Sequence, residues 1–325
     1  MSERAFQPAG SRDPVGLIEN LPRVVLAWIL AVAALGATAL QSPPAPEPAT
    51  PSTAGSDEPV ILVGAGDIAN CELANGEGAV ATGRLLDQFP GLIFTVGDHA
   101  YSRGTAREFR DCYGPRWGRF KDRTRPSPGN HDYLTDKGRP YFDYFGDNAG
   151  PDRRGYYSYA LGAWHIISLN SSIDAGTHSP QVEWLRKDLA DHRTPCTLAY
   201  WHIPVFSSGP HGRDQRESAH MRDVWRALYE AGADVVVNGH DHDYERFAPQ
   251  DPDGKTDRKR GIREFVVGTG GGGLYEFKQL LPNSESRNNR SYGIIKLTLR
   301  PADYSWEYLS GAGEPFQDSG TAPCM

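Results

Sequence analysis

From residue 59 onward, short apolar runs alternate with stretches that carry apolar residues on one helical face. Val60-Ile61-Leu62-Val63 reads as a buried strand, followed by a helix over about 78–89 and a second strand over 92–96. Residues 164–169 predict another strand and 182–189 a helix; 197–201 a strand, 219–230 a helix and 234–237 a strand again. Later come strand-like runs at 264–267, 292–299 and 304–309. Alternation of this kind indicates an α/β layered fold. The C-terminal portion has more strands and fewer helices, which suggests a second sheet packed on the first.

The first 58 residues follow a different pattern. Val24 to Leu40 contains no charge and is preceded directly by Arg23. Its 17 residues fall between the core of a signal peptide and a comfortable membrane span. Ala37-Thr38-Ala39 offers a small-residue cleavage site, whereas the leading segment is long for a signal peptide. Residues 1–40 are therefore expected to be an export signal or an N-terminal membrane anchor. Arg23 on the near flank favours an N-terminus-inside orientation. Residues 41–58 are rich in Pro, Ala, Ser, Thr and Glu, a composition that stays extended and cannot pack a core. The expected organisation is thus signal or anchor (1–40), linker (41–58) and a globular domain (59–325), placed outside the cytoplasm, either secreted or anchored.

Composition narrows the chemistry. A chain of 325 residues with 38% hydrophobic residues can bury a sizeable core. The net charge of -7 argues against nucleic-acid binding through a broad basic face. It leaves room for a phosphorylated substrate, because bound metals supply local positive charge. Cys71, Cys112, Cys196 and Cys324 suit an oxidising compartment and lack C-x-x-C spacing. Of three possible pairings Cys71–Cys112 is favoured, since each cysteine lies just beyond an acidic motif and those motifs should converge. Cys196–Cys324 would then tie the C-terminus to a central strand.

The polar residues fall where the strands end. Gly66-Asp67 and Gly97-Asp98 each place a carboxylate on a turn after an apolar run, where it can ligate a hard cation. Taken singly, each is an ordinary turn aspartate. Tyr101 lies three residues after Asp98. Gly129-Asn130-His131-Asp132 and Gly239-His240-Asp241-His242 have no apolar explanation, and His202 closes the strand ending at Trp201. Ligands of α/β sheets gather at carboxyl ends of strands, so these residues should share one edge. Oxygen and imidazole donors without thiolate suit Fe, Zn, Mn or Mg. Two such ions roughly 3.5–4 Å apart can activate water and stabilise in-line displacement at phosphorus.

In this order the motifs resemble the five motifs of the metallophosphoesterases (calcineurin-like superfamily), and more narrowly the purple acid phosphatase branch. The resemblance covers about residues 59–310. Most metallophosphoesterases begin with Asp-x-His, whose histidine is a ligand; here that position is Ala69. In purple acid phosphatases a tyrosine three residues after the second aspartate takes its place and binds Fe(III), and Tyr101 stands there.

The resemblance implies a four-layer αββα fold, a two-sheet β-sandwich flanked by helices. It implies an Fe(III) site at Asp67, Asp98, Tyr101 and His242. A divalent Fe, Zn or Mn would sit at Asp98, Asn130, His202 and His240, with Asp98 bridging. His131 would contact substrate phosphate and protonate the leaving group. His211 stands about nine residues after His202, where the family carries a substrate-facing histidine; an exposed loop histidine is the plain alternative. The implied activity is hydrolysis of phosphomonoesters by a metal-bound hydroxide. Alternatives are a phosphodiesterase or nucleotidase using the same cluster, and a noncatalytic phosphate- or metal-binding surface protein. Two departures stand out: Ala69 replaces the glycine usual in the first motif, and Asp132 the glutamate usual in the third.

Other signals carry less. Gly268–Gly273 formally matches G-x-G-x-x-G but precedes no helix and has no acidic partner in a Rossmann context, so a glycine loop near the site is expected instead. Lys255, Arg258, Lys259, Arg260 and Arg263 read as a solvated turn, and the serine pairs at 171 and 207 lack a nucleophile-elbow setting.

Overall fold

The computed structural model describes residues 58–213 and 219–325. The apolar segment at 24–40 and the Pro-rich linker lie outside the described residues. Among the described residues no helix is long and apolar enough to cross a membrane.

Thirteen named strands form two mixed sheets. The first contains β1 (Val60–Ala65), β2 (Leu92–Val96), β3 (Thr124–Ser127), β11 (Ser291–Leu299), β12 (Asp303–Gly313) and β13 (Ser319–Pro323). Its order is β13-β12-β11-β1-β2-β3. The second contains β4 (Tyr157–Leu161), β5 (Trp164–Ser168), β6 (Cys196–Tyr200), β7 (Val235–Asn238), β8 (Tyr244–Phe247), β9 (Arg263–Val267) and β10 (Ser284–Asn288), in the order β10-β8-β9-β7-β6-β5-β4. β1, β2 and β3 run parallel, as do β5, β6, β7 and β9.

The second sheet is not the C-terminal portion, as the strand-rich tail suggested. β11 pairs antiparallel with β1, Val60 opposite Leu299 and Leu62 opposite Leu297, so the chain's last strands complete the first sheet. That register turns Leu62 and Leu297 to the same buried layer. Apolar alternation reveals that a strand exists but not which sheet it joins.

Helix α1 (Glu77–Leu86) packs on β11 and β12, outside the first sheet. Helices α2 (Pro180–Asp191) and α3 (Arg222–Ala231) cover the outer face of the second. Between the sheets, Leu62, Phe94, Ile166, Val235, Phe265 and Leu297 form one core, and beneath α2 and α3 Val182, Leu185, Trp225 and Leu228 form another. These are the four layers of an αββα sandwich. Each fully buried aliphatic or aromatic side chain contributes about 1.5–3 kcal/mol.

Two disulfides join the frame. Cys71–Cys112 closes with Cα atoms 5.9 Å apart and Cys196–Cys324 with 5.4 Å, the pairing favoured from the sequence. The basic run at 255–260 lies on an exposed turn, but Arg263 belongs to β9, largely buried against Trp306 and paired with Glu285. An alternating strand position, not the local charge run, decides its surroundings.

Candidate metal centre

Five parallel strands end at one rim. Asp67 follows β1, Asp98 follows β2, Asn130 follows β3, His202 follows β6 and His240 follows β7. Asp67, Asp98 and His240 all adopt left-handed backbone, φ +58°, +51° and +69°. A non-glycine residue there costs on the order of 1 kcal/mol or more, so surrounding contacts must hold each one. His240 N donates to Asp67 Oδ2 at 2.8 Å, and Asp67 N donates to the Gly97 carbonyl at 3.0 Å. Gly97 itself is positive in φ, and a Cβ there would stand 2.6 Å from His202 Nδ1. Chain turns and ligand side chains share the same space.

Two groups of donor atoms converge. In the first, the Tyr101 hydroxyl lies 2.8 Å from Asp67 Oδ1, 3.1 Å from Asp98 Oδ2 and 3.0 Å from His242 Nε2. His242 Nε2 is 3.2 Å from Asp67 Oδ1. In the second, His202 Nε2 lies 2.9 Å from Asn130 Oδ1, 3.2 Å from His240 Nδ1 and 3.4 Å from Asp98 Oδ2. Asp98 Oδ2 therefore borders both groups. All seven sequence candidates meet here, and Asp67, Asp98, Tyr101, His202, His240 and His242 are buried.

The donor set fits cations. His202 Nδ1 lies 2.7 Å from the Val96 carbonyl, which can only accept, so that nitrogen carries a proton and Nε2 turns to the cluster. Fixing a ligand imidazole by its other nitrogen is common at metal sites. Nε2 of neutral His202 and Oδ1 of Asn130 would then be two acceptors 2.9 Å apart, an opposition that a proton or cation between them relieves. The field has the same sign. Burial lowers the His202 pKa, but Asp98 and Asp67 outweigh it and push it up to about 10. Burial raises Asp67 while His242 and His202 bring it below its ordinary range. Burial and the two carboxylates hold Tyr101 well above the usual phenol range, so deprotonating it requires a strong positive charge close by.

Around this cluster stand residues with other roles. His131 N donates to Asp98 Oδ1 at 2.8 Å, while its ring Nδ1 donates to the Ser102 carbonyl at 2.6 Å. Its Nε2 is 3.9 Å from Asp98 Oδ2, and a third of the side chain is exposed. His211 lies against His240, ring centres 4.1 Å apart, on a loop whose Ser207 and Ser208 hydroxyls donate to the buried Asp241 and Glu245. The glycine run at 268–273 does pass the site: Gly272 N donates to the Asp67 carbonyl at 2.6 Å.

Two contributors escaped the sequence reading. Tyr275 stacks on His242, ring centres 4.0 Å apart and planes 8° from parallel. No spacing rule links a loop tyrosine 33 residues away to that histidine. His99, which no motif singles out beside Asp98, is fully buried with Nδ1 2.8 Å from Asp132 Oδ2 and Nε2 2.7 Å from the Thr95 hydroxyl. Asp132 also accepts from the backbone N–H of Asp98, His99 and Gly129. The shorter carboxylate thus fastens the second-motif turn to the third.

A two-sheet αββα frame that gathers carboxylate, phenol, amide and imidazole donors at its strand ends defines a metallophosphoesterase-type domain. The chain belongs to the calcineurin-like phosphoesterase family, whose sequence model matches residues 55–244 and so spans all seven donors. Purple acid phosphatase 15 of Arabidopsis thaliana is 32% identical over 197 residues, 50% of this chain and 37% of that protein. Purple acid phosphatase 21 of the same plant is 30% identical over 263 residues, 69% of this chain and 56% of that protein. The chain thus spans less than two thirds of the length of these relatives. Among solved structures, a purple acid phosphatase from yellow lupin (Lupinus luteus) seeds shares the fold, with TM-score 0.68 and 21% identity over 82% of this chain and 54% of that one.

Proposed function

We propose that this chain is an extracytoplasmic two-metal phosphomonoesterase of the purple acid phosphatase type. In this reading Asp67, Tyr101 and His242 hold Fe(III), while Asn130, His202 and His240 hold a divalent Fe, Zn or Mn, with Asp98 shared. The observation that carries it is the position of Asp98 Oδ2, 3.1 Å from the Tyr101 hydroxyl and 3.4 Å from His202 Nε2. One carboxylate between an oxygen-rich and a nitrogen-rich donor group suits two cations of different donor preference. When bound, such a pair supplies the Lewis acidity that activates water and offsets charge growing at phosphorus.

The chain's own groups do the rest. Asp67 and Asp98 keep the rim anionic, and His202, His240 and His242 present nitrogens fixed by burial. The exposed edge of His131 faces solvent above the cluster. Because Nδ1 donates to Ser102, the proton available to a departing alkoxide is the one on Nε2. His211, held beside His240 by the Asp241 and Glu245 anchors of its loop, stands where a phosphoryl oxygen can meet it. Two disulfides agree with an oxidising compartment outside the cytoplasm. The export signal or anchor proposed for residues 1–40 would deliver the chain there.

Metal analysis, a visible spectrum and hydrolysis of p-nitrophenyl phosphate test the reading together. The expected protein contains iron, is coloured by tyrosinate-to-Fe(III) charge transfer, and loses that colour in Tyr101→Phe. A colourless protein fully active with zinc or manganese alone overturns the iron–tyrosine assignment. A metal-loaded protein inert toward mono- and diesters overturns the enzyme.

A further inference from the structure

Away from the rim, His165 stands near the start of β5, opposite Thr197 near the start of β6, at the other end of the second sheet. Asp188 lies in the last turn of α2, and His192 closes that helix. Asp188 Oδ2 is 2.9 Å from His165 Nε2, while His192 Nδ1 lies 3.2 Å from Asp188 Oδ1 and donates to the Asp188 carbonyl at 3.0 Å, which leaves its Nε2 free to bind an ion. One donor atom from each of the three lies within 4.8 Å of the other two.

His165 is 3% exposed, yet neither ring nitrogen makes a well-aligned hydrogen bond, and Asp188 Oδ2 meets only the His165 ring. A buried imidazole and carboxylate that face each other at 2.9 Å without good hydrogen-bond geometry leave polar capacity unused in the interior. A cation bound to both satisfies them at once. Asp188 Oδ1, by contrast, is oriented by the Ser158 hydroxyl at 2.8 Å, as carboxylate ligands commonly are. The position at the carboxyl end of a twelve-residue helix adds the favourable end of its dipole.

We propose that His165, Asp188 and His192 form a separate zinc site. Two imidazoles and one carboxylate without thiolate match zinc's nitrogen and oxygen preferences, and three protein donors leave a fourth position for water. Access exists. His192 is more than half exposed, and with Thr197, Arg193 and Glu230 it lines a surface cavity of about 460 Å³. The bound ion would clip the end of α2 to β5. The site contains none of the seven rim donors, so its occupancy should vary independently of phosphoester hydrolysis.

Full-length protein dialysed against excess zinc and then desalted is assayed for zinc per chain by elemental analysis. Wild type is expected to carry one zinc more than His192→Ala, a surface substitution, while p-nitrophenyl phosphate hydrolysis stays within about twofold. Asp188→Asn, folded by circular dichroism, should lose the same single zinc. Equal zinc in wild type and His192→Ala overturns the proposal. So does a loss of zinc in His192→Ala that brings a parallel loss of hydrolysis, since the missing ion would then belong to the rim.

Discussion

Replacing Asp132 by alanine should unfold much of the rim without touching a donor atom. The buried carboxylate accepts from Asp98 N at 3.0 Å, His99 N at 3.2 Å and Gly129 N at 2.9 Å, and meets His99 Nδ1 at 2.8 Å. Alanine leaves three buried backbone donors and one imidazole nitrogen without a partner. Each such orphan costs about 1–3 kcal/mol, and charged acceptors lie at the strong end. Water entering the vacated volume recovers part of that, so the expected loss is about 3–5 kcal/mol. Typical domain stability is about 5–15 kcal/mol, so roughly a fifth or more would disappear. Urea unfolding of chelator-treated protein, followed by tryptophan fluorescence, isolates this term from metal binding. Activity should fall about a hundredfold even where the protein remains folded, because Asp98 and Asn130 flank the released N–H groups and small misplacements are expensive. A variant within about 1 kcal/mol of wild type, with normal kcat/KM, would refute the view that Asp132 holds the two turns together.

Gly129→Ala should abolish most hydrolysis for a steric reason: a Cβ there would stand 2.2 Å from Asp98 Oδ1 and 2.4 Å from Asp98 N. Gly176→Ala, whose Cβ would meet its nearest neighbour at 3.4 Å, serves as the control and should keep normal kcat. Asp234 supplies a pH dependence. Burial pushes its carboxyl up to about 6, against an ordinary 3.8. Folding therefore favours the protonated form, so this contribution is complete below pH 3.8 and lost as the pH rises through 6. The two-unit difference corresponds to roughly 3 kcal/mol. Urea midpoints at pH 4.5 and 7 should fall less steeply in Asp234→Asn than in wild type; parallel slopes would remove Asp234 as the source. Tyr275→Phe keeps the ring stacked on His242 and should retain kcat and metal content, whereas Tyr275→Ala should lower kcat/KM about tenfold. Equal kinetics for both would show that the stack does not position His242.

Asp67, Asp98, His202 and His240 were legible because each sits where an apolar run stops. Glycine before Asp67, Asp98, Asn130 and His240 marks a turn, and the turn marks the rim. The sheet partners were not legible. β11 joins β1 through a ladder between residues more than two hundred positions apart, and alternation looks the same whichever strand lies alongside. Short strands escaped too. β3 contains Pro126 and Arg125, and β13 reads Ser-Gly-Thr-Ala-Pro, so neither carries an apolar run. His99 and Tyr275 were hidden for a different reason: their roles come from what packs against them. Phe109, Tyr113, Tyr141 and Phe145 surround His99, and no local pattern announces that cage.

The donors of the rim are divided between the two sheets. Loops after β1, β2 and β3 contribute Asp67, Asp98, Tyr101 and Asn130, all oxygen donors. Loops after β6 and β7 contribute His202, His240 and His242, all nitrogen donors. Neither sheet holds a complete set, so the rim forms only when the sheets pack face to face. Contacts that cross between them confirm that packing and rim are one event: His202 Nδ1 to the Val96 carbonyl at 2.7 Å, His240 N to Asp67 Oδ2 at 2.8 Å, and Gly66 N to the Val267 carbonyl at 2.9 Å. An ion drawing donors from both sheets binds the folded arrangement and not the separated one. Its stabilisation, about 2.7 kcal/mol at a hundred times the dissociation constant, therefore acts on the whole sandwich.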